Sequence, residues 1–176
     1  MAEPAPSSHL RGGDALRHPL LRELLAARLV CVLATYDEGW IHAVPMWFAA
    51  EEGAVLLATG SRSRKVRNLE RDPRASLVVH DSRAGYEVCG ALLTGRAEVV
   101  RGAAARPLVA RVHRRYVDPA CWDEPPVRAF LASDDVALRL APERALVWDE
   151  RGSAAAALLR ARGGALPLLP TAPRPG

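Results

Sequence analysis

Several residue types that carry common protein chemistries are scarce in this chain of 176 residues. Lys65 is its single lysine, although lysine and arginine together number 24. The cysteines Cys31, Cys89 and Cys121 show no CxxC spacing, which argues against a metal site or a disulfide framework. They are typical of small buried residues in a reducing compartment. No apolar run approaches the length of a membrane span.

The positive charge of the chain is spread out and not concentrated. The net charge is +4 and the pI is about 9.4, without a basic block or tail. This pattern suits an anionic small ligand better than nucleic acid. The opening MAEPAPSSHLRGGD has no apolar segment of the kind found in signal peptides. We therefore expect a cytoplasmic protein that binds neither nucleic acid nor membranes.

Short β-forming runs separated by turn residues dominate most of the chain. Strands are predicted over residues 29–35, 40–48, 54–59, 72–80, 86–100, 136–142 and 144–150. Gly90 and Gly95 are expected to mark bulges or bends in the long fifth run. Because βαβ alternation and a GxGxxG motif are both missing, the sequence predicts a mainly β (α+β) barrel with helical additions and argues against a Rossmann domain.

Helices are predicted around and between these strands. They cover residues 14–28, a short segment near 63–71, and residues 103–117, 125–131 and 154–162. Asp14 is expected to cap the first helix. Residues 1–13 are interpreted as a disordered N-terminal arm, 14–150 as the folded domain, and 151–176 as a partly disordered Ala/Leu/Pro-rich tail.

The loop after the third predicted strand concentrates groups that bind phosphate. Thr59 and Ser63 supply hydroxyls, and Arg64 and Lys65 supply two cations within seven residues. A phosphate dianion needs converging donors and positive charge, and a helix that begins near Ser63 adds its N-terminal dipole. An ammonium is a compact charge beside the planar guanidinium, which would explain a retained lysine. The alternative is a chance lysine on a solvated surface.

Proline and histidine give weaker indications. Pro45 removes one N–H from its strand, which indicates either an edge strand or a break that leaves backbone groups free for a ligand. His42 and His80 fit strand patterns and are interpreted as structural, with His42 the better candidate for ligand contact. His113 lies among basic residues and is expected on the surface.

The segment from about residue 21 to residue 149 resembles the pyridoxamine-phosphate-oxidase-like, FMN-binding split-barrel superfamily, and within it the flavin and deazaflavin oxidoreductases of actinobacteria. The matching pieces are HAVPMWF, LLATG, SRK, RNL and DPRASLVV, and more weakly TGRAEVV and ALVWD. Their order and spacing carry the resemblance. It implies that residues 14–150 form a six-stranded split barrel with flanking helices, and that two chains form a homodimer with cofactor sites at the subunit interface.

The resemblance also implies a cofactor: F420, with FMN as the alternative and haem as a less favoured one. Arg64 and Lys65 would hold the phosphate, and Tyr86 would reach the partner's site. The full set of implied cofactor-binding residues is His42, Ala43, Val44, Pro45, Met46, Trp47, Ala58, Thr59, Ser63, Arg64, Lys65 and Tyr86. No metal site and no catalytic side chain is assigned.

The function implied is an oxidoreductase, a reductase rather than an oxidase, that transfers hydride to or from a small conjugated organic substrate. The alternative is a non-catalytic flavin or haem binding or sensor protein with the same fold. Oxidation of vitamin B6 is not expected. The positions where those oxidases carry a basic residue and a glutamine hold His42 or Ala43, and Gly90, and their Arg-x-His ending is missing.

Overall fold

The computed structural model describes residues 8–81 and 88–162. The strands are β1 (Ser8–Arg11), β2 (Cys31–Asp37), β3 (Trp40–Met46), β4 (Phe48–Glu51), β5 (Ala54–Gly60), β6 (Arg74–Asp81), β7 (Cys89–Val100) and β8 (Asp135–Asp149). The α-helices are α1 (Pro19–Ala26), α2 (Arg64–Arg71), α3 (Ala105–Tyr116), α4 (Pro125–Leu131) and α5 (Ala154–Ala161). In this part of the chain, no helix has the length and apolar character needed to cross a membrane.

All the described strands belong to one antiparallel sheet with the order β3-β2-β6-β7-β8-β5-β4, and β1 pairs with β8. In a flat sheet, six interstrand steps of about 4.8 Å would separate β3 from β4 by about 29 Å. Only Trp47 separates these two strands along the chain, which holds their ends within about 7 Å. The sheet must therefore curl until its two ends meet at Trp47.

The predicted strand count of six is wrong, because the described residues contain an eight-stranded sheet that hydrogen bonds do not close. The run 40–48 is divided at Trp47, where the chain stops pairing with β2 and begins to pair with β5. Conversely, the two strands predicted over 136–150 are one continuous strand, β8. Pro142 does not end β8, since the β7 partner strand has a register shift at Thr94/Gly95, opposite this proline.

Part of the predicted disordered arm is ordered. Ser8–Arg11 form β1, and a 3₁₀ helix follows over Gly12–Arg17. The physical reason lies in β8. On one edge, β5 covers only Asp135–Leu140, so the backbone groups of Arg144–Val147 are free to pair with an extended segment. The proposed capping residue Asp14 falls inside the 3₁₀ helix, and α1 begins at Pro19, a favoured first position.

The inner face of the curled sheet forms the core. Leu33, Leu77, Leu93 and Leu138 come from four different strands and are fully buried. Helices α1 and α2 close the core with apolar side chains at helical spacing, namely Leu20, Leu21, Leu24 and Leu25 from α1 and Val66 and Leu69 from α2. Burial of these side chains holds the start of α2 firmly against the end of β5.

Two glycines in β7 serve different purposes. Gly95 lies at the register shift, as predicted, where an added Cβ would lie 2.1 Å from the carbonyl oxygen of Ala141. Gly90 makes a regular pair with Trp148, so the predicted bulge or bend at Gly90 is wrong. A Cβ on Gly90 would lie 2.2 Å from the Trp148 ring, so this glycine leaves space for the indole.

Candidate functional site

Three of the predicted phosphate-binding residues lie together where β5 leads into α2. Lys65 Nζ donates to Thr59 Oγ1 at 2.9 Å, and Thr59 Oγ1 donates to Ser63 Oγ at 3.4 Å. The Ser63 amide donates to the Gly60 carbonyl at 3.0 Å, which forms a tight turn. The turn and the first residues of α2 therefore place two hydroxyls and one ammonium on the same side of the loop. We call Thr59, Ser63 and Lys65 the hydroxyl–lysine cluster.

The N-terminus of α2 offers further donors. Ser63 occupies the N-cap position, but its hydroxyl makes no capping hydrogen bond to the helix. Since the first amides of a helix have no partner inside the helix, those of the first turn of α2 remain available. The helix dipole at this end favours a negative charge. Cluster and helix end thus present donors and positive potential to the same place.

Lys65 is partly buried and has no carboxylate within ion-pair distance in the described residues. Within residues 8–81 and 88–162 it forms no ion pair, and its hydrogen bond goes to a neutral hydroxyl. Burial lowers the pKa of its ammonium, and the negative charge of Asp135 opposes this shift. An ammonium withdrawn from water without an ion-pair partner is unfavourable by itself. A bound dianion would remove that cost.

The start of β8 holds the loop from behind. The Ser61 amide donates to the Asp134 carbonyl at 2.9 Å, and the Ser61 hydroxyl donates to the Asp134 carboxylate. Gly60 pairs with Asp135 at the last position of the β5–β8 ladder. The loop is thus fixed to the sheet on the side opposite the cluster, which keeps its donors in place before any ligand binds.

The Arg64 side chain does not join the hydroxyl–lysine cluster. Its Nε lies 3.3 Å from Asp37 Oδ2, and its side chain is 62% exposed. Asp37 also accepts from Arg71 at 3.1 Å, so Arg64 and Arg71 of α2 both hold the β2–β3 turn. A role for Arg64 in binding phosphate remains a prediction, and it requires the guanidinium to exchange Asp37 for the ligand.

A buried polar chain braces α2 against β2 and β3. Asn68 is fully buried, donates to Thr35 Oγ1 at 3.1 Å and accepts from Arg71 at 2.8 Å. Thr35 in turn donates to the His42 carbonyl at 3.4 Å. Asn68 and Arg71 therefore brace this helix against the sheet. Beside them, His42 Nδ1 is buried and has no hydrogen-bond partner, which leaves one polar atom available.

Strand β3 carries five of the predicted residues on two faces. His42, Val44 and Met46 point towards the core side, and Ala43 and Pro45 point outward. Among the described strands, β3 pairs with β2 alone, so Pro45 lies in an edge strand as predicted. The free edge leaves backbone carbonyls and amides of β3 available, which is the type of contact expected along a cofactor ring.

The outward side of β2 and β3 is apolar and uncovered in the described part of the chain. We call this surface, formed by Val32, Tyr36, Ile41, Ala43 and Pro45, the open face. The neighbouring Trp40 is 80% exposed and Ile41 is 69% exposed. A groove of about 560 Å³ runs across part of it, between Ile41 and Tyr36 on one side and Arg74 and Arg144 on the other. Apolar surfaces of this kind mark binding sites or interfaces.

Trp47 and Ala58 have partners within the chain. The Trp47 indole stacks on Tyr116 with 4.9 Å between ring centroids, and Phe130 meets it edge-on at 6.0 Å. Ala58 packs beneath α3, beside Leu108. Both residues flank the candidate site through their backbones, while their side chains attach α3 and α4 to the sheet. Tyr86 lies outside the described residues.

The expectation that His113 is exposed is wrong. His113 is buried, and its Nε2 lies 3.3 Å from Asp135 Oδ2. Burial lowers the pKa of this imidazole, with the Asp135 carboxylate opposing the shift. The basic neighbours in the sequence were misleading, because His113 shares the inward stripe of α3 with Val109 and Val112. That helical spacing was the available signal for burial.

The cluster is suited to binding an anion. It combines one ammonium, two hydroxyls and the N-terminus of a helix, and in the described residues no group of histidine, cysteine, aspartate or glutamate side chains is arranged to hold a metal. Next to it, the free edge of β3 and the open face could accept an extended planar group. These features fit a phosphate with an attached ring.

Comparison with solved structures shows the same architecture elsewhere. A conserved hypothetical protein from Mycobacterium tuberculosis is 26% identical, with a TM-score of 0.64 over 89% of this chain and 92% of the other. A structure described as an F420 reductase is 26% identical, with a TM-score of 0.56 over 69% and 91%. A FAD-binding protein from Mesorhizobium loti is 20% identical, with a TM-score of 0.58 over 80% and 96%, which shows the fold alone.

Sequence comparison adds the family. No curated protein sequence matches this chain. The model of the pyridoxamine 5'-phosphate oxidase family matches residues 18–149, which include the hydroxyl–lysine cluster, β3 and the whole of β8. The resemblance first visible in HAVPMWF, SRK and DPRASLVV is therefore confirmed, and the chain belongs to the pyridoxamine 5'-phosphate oxidase family.

Proposed function

We propose that this protein is an F420-dependent oxidoreductase, with FMN as the alternative cofactor, that transfers hydride to or from a small conjugated organic substrate, in the direction of a reductase. The observation that carries the proposal is the hydroxyl–lysine cluster. A partly buried ammonium without an ion pair, next to two hydroxyls and an uncapped helix N-terminus, is unfavourable unless a dianion completes it.

The residues present fit such a group. Lys65, Thr59 and Ser63 would hold the phosphate, and Arg64 would join them by leaving Asp37. The backbone from His42 to Trp47 would face the ring, with the unpartnered His42 Nδ1 beside it. When bound, F420 or FMN supplies the hydride chemistry. The chain's own contribution is to orient the ring, to exclude water with the apolar residues of β2 and β3, and to fix the phosphate.

F420 is preferred to FMN for two reasons. One similar solved structure is described as an F420 reductase and is 26% identical over 69% of this chain. In addition, Arg62 and Arg67 lie on either side of the Arg64–Lys65 pair in sequence and are exposed, which suits the acidic tail of F420. Both cofactors present a phosphate to the same loop, so the cluster alone does not distinguish them.

The proposal includes a homodimer in the cytoplasm. The open face is the surface we assign to the second copy, because it exposes the apolar side chains of Val32, Tyr36 and Ile41 side by side and adjoins the free edge of β3. In such a dimer the groove across the open face would be enclosed by both subunits. A cofactor ring along β3 would then be shielded from solvent by the partner.

Calorimetric titration of F420 and of FMN into the parent protein and into Lys65→Met tests the proposal. Loss of a charged hydrogen bond should weaken binding of the preferred cofactor by about 1.5–3 kcal/mol. Arg22→Met is the control, because Arg22 is an exposed cation on α1 that lines a different cleft. Equal affinity of Lys65→Met and the parent protein would remove the cluster from the site, and a parent protein that binds neither compound would reject the proposal.

A second candidate is a non-catalytic flavin or haem protein with the same fold. The observation that favours it is the buried Nδ1 of His42, which has no hydrogen-bond partner and could serve as an axial ligand. The absorption spectrum of the purified protein separates the candidates. A Soret band that His42→Ala abolishes would support haem binding, whereas absorption by F420 or FMN would exclude it.

A further inference from the structure

A second cavity lies on the other side of the start of β8 from the hydroxyl–lysine cluster. It has a volume of about 490 Å³, within the range of small-molecule sites. Side chains from one stripe of α3, including Arg106, Val109, His113 and Arg114, form one wall. Trp122 and Leu131 form the opposite wall. We call it the α3 cavity.

The α3 cavity is apolar in its body and positively charged at its mouth. Val109, Trp122 and Leu131 supply apolar walls. Within the described residues, neither Arg106 nor Arg114 has a carboxylate within ion-pair distance, and the Arg114 guanidinium lies 5.4 Å from the centre of the Trp122 ring. A hydrogen bond from its Nε1 to the Val117 carbonyl at 3.3 Å holds the indole in place. Two guanidinium groups without counter-charges therefore face an apolar chamber.

The carboxylate that lines the cavity does not neutralise these arginines. Asp135 lies 3.3 Å from His113 Nε2, and its charge also acts on Lys65 on the far side of β8. His113 is itself held by Phe130, with 4.7 Å between ring centroids. Asp135 and His113, at the floor of the cavity, are thus paired with each other, and the positive charge of Arg106 and Arg114 at the mouth is not neutralised.

We propose that the α3 cavity binds a small aromatic monocarboxylate, with its carboxylate held by Arg106 and Arg114 and its ring packed against Trp122, Val109 and Leu131. Arginine forks match the geometry of a carboxylate, and the apolar walls require a hydrophobic body of limited size. A purely inorganic anion would leave those walls in contact with water. This site goes beyond the proposed function and needs no cofactor to form.

The α3 cavity is also linked to the hydroxyl–lysine cluster by backbone. Ser133 and Asp135 line the cavity, while the intervening Asp134 carbonyl accepts the Ser61 amide at 2.9 Å. The same short segment therefore forms a wall of the cavity and supports the loop that carries Thr59 and Ser63.

The test is calorimetric titration of 3-phenylpropionate into the full chain without added cofactor, with the neutral 3-phenylpropionamide as the comparison. The acid should bind about tenfold to hundredfold more tightly than the amide, as expected for charged hydrogen bonds. This comparison uses the parent protein alone, so it does not depend on whether any variant folds. Equal binding of acid and amide, or no binding of the acid, would overturn the proposal.

Variants locate the site. Arg106→Gln should weaken binding of 3-phenylpropionate about tenfold or more. Arg111→Gln is its matched control, because Arg111 lies on the same helix but faces a different cleft. Ala110→Leu should abolish binding by filling the cavity while keeping its charge. Equal losses in Arg106→Gln and Arg111→Gln, or full affinity in Ala110→Leu, would place the ligand elsewhere. Failure to bind F420 or FMN would leave these results unaffected.

Discussion

Two outward surfaces of the same sheet differ in whether a helix covers them. On β4, β5 and the first part of β8, the outward residues Ala49, Leu56, Ala58 and Ala137 lie beneath α3, and we call them the covered face. On β2 and β3, the open face has no element over it in the described part of the chain, and Ile41 remains 69% exposed. Both surfaces are apolar.

The difference shows which apolar surface folds the chain and which is left for binding. Each Å² of apolar area that α3 removes from water contributes about 25 cal/mol to the stability of a single chain. The exposed part of the open face contributes nothing in a single chain, so these exposed apolar side chains need another explanation. A second copy of the chain and the ring of a cofactor together would cover it.

The largest effect is expected on the covered face. Leu56 is fully buried against Val112 of α3, so Leu56→Ala should lower the free energy of unfolding by about 2–5 kcal/mol through lost burial and a residual cavity. Urea unfolding followed by circular dichroism measures it. Leu158→Ala is the control, since Leu158 is more than half exposed on α5, and a change within about 0.5 kcal/mol is expected there. Equal losses in the two variants would mean that α3 does not stabilise the sheet.

The second effect is expected on the open face and concerns assembly. Ile41→Arg places a charge in the centre of the proposed dimer interface and should raise the dimer dissociation constant at least about tenfold, or about 1.4 kcal/mol. Light scattering across a dilution series measures this, with Ala155→Arg on exposed α5 as a control of equal charge. If the parent protein is monomeric, or if both variants dimerise equally, the open face is not a subunit interface.

Trp148 and Trp40 show the same difference between a packed and an exposed side chain. Both project from the sheet, but Trp40 is almost fully exposed while Trp148 is half-buried against its own strand neighbour, Gly90. Gly90→Ala would push a methyl group into the indole and should lower the free energy of unfolding by about 1–3 kcal/mol. Thermal unfolding of Gly90→Ala and of Gly152→Ala checks this, because a Cβ on Gly152 meets nothing. Equal stability of the two variants would show that Trp148 moves aside freely.

The sequence predicted most of what is local. The hydroxyl–lysine cluster was found from residue types because Thr59, Ser63 and Lys65 lie within one turn and the start of one helix. The α4 bounds, Pro125–Leu131, were also predicted, since two prolines mark where that helix begins. In these segments, hydrogen bonds between near neighbours determine the geometry.

What was missed depends on partners distant along the chain. The ion pair of Arg64 with Asp37, at 3.3 Å, was not predicted, because only the fold of the β2–β3 turn brings Asp37 to it. β1 was missed because its composition resembles a disordered arm, and only the free stretch of β8 gives it a partner. The pairing of His113 with Asp135 likewise requires α3 to dock beside the first residue of β8. Composition and spacing do not encode such contacts.

The smallest expected effect is on the pH dependence of stability, and it comes from His113 beneath α3. Burial holds the pKa of His113 below its ordinary value of about 6.5, with Asp135 only partly offsetting this. The unfolded chain therefore takes up a proton at a higher pH than the folded chain. Stability should be unaffected above about pH 6.5 and should fall as the pH drops from there towards the lowered pKa.

Urea unfolding at a series of pH values from 8 to 5 tests this expectation, with His113→Gln and His80→Gln compared with the parent protein. His80 is exposed on β6, so His80→Gln should keep the acid-side loss of stability that the parent protein shows. His113→Gln should reduce that loss, because the buried group that must take up a proton is gone. If all three proteins lose stability in parallel below about pH 6.5, the imidazole beneath α3 is not the titrating group.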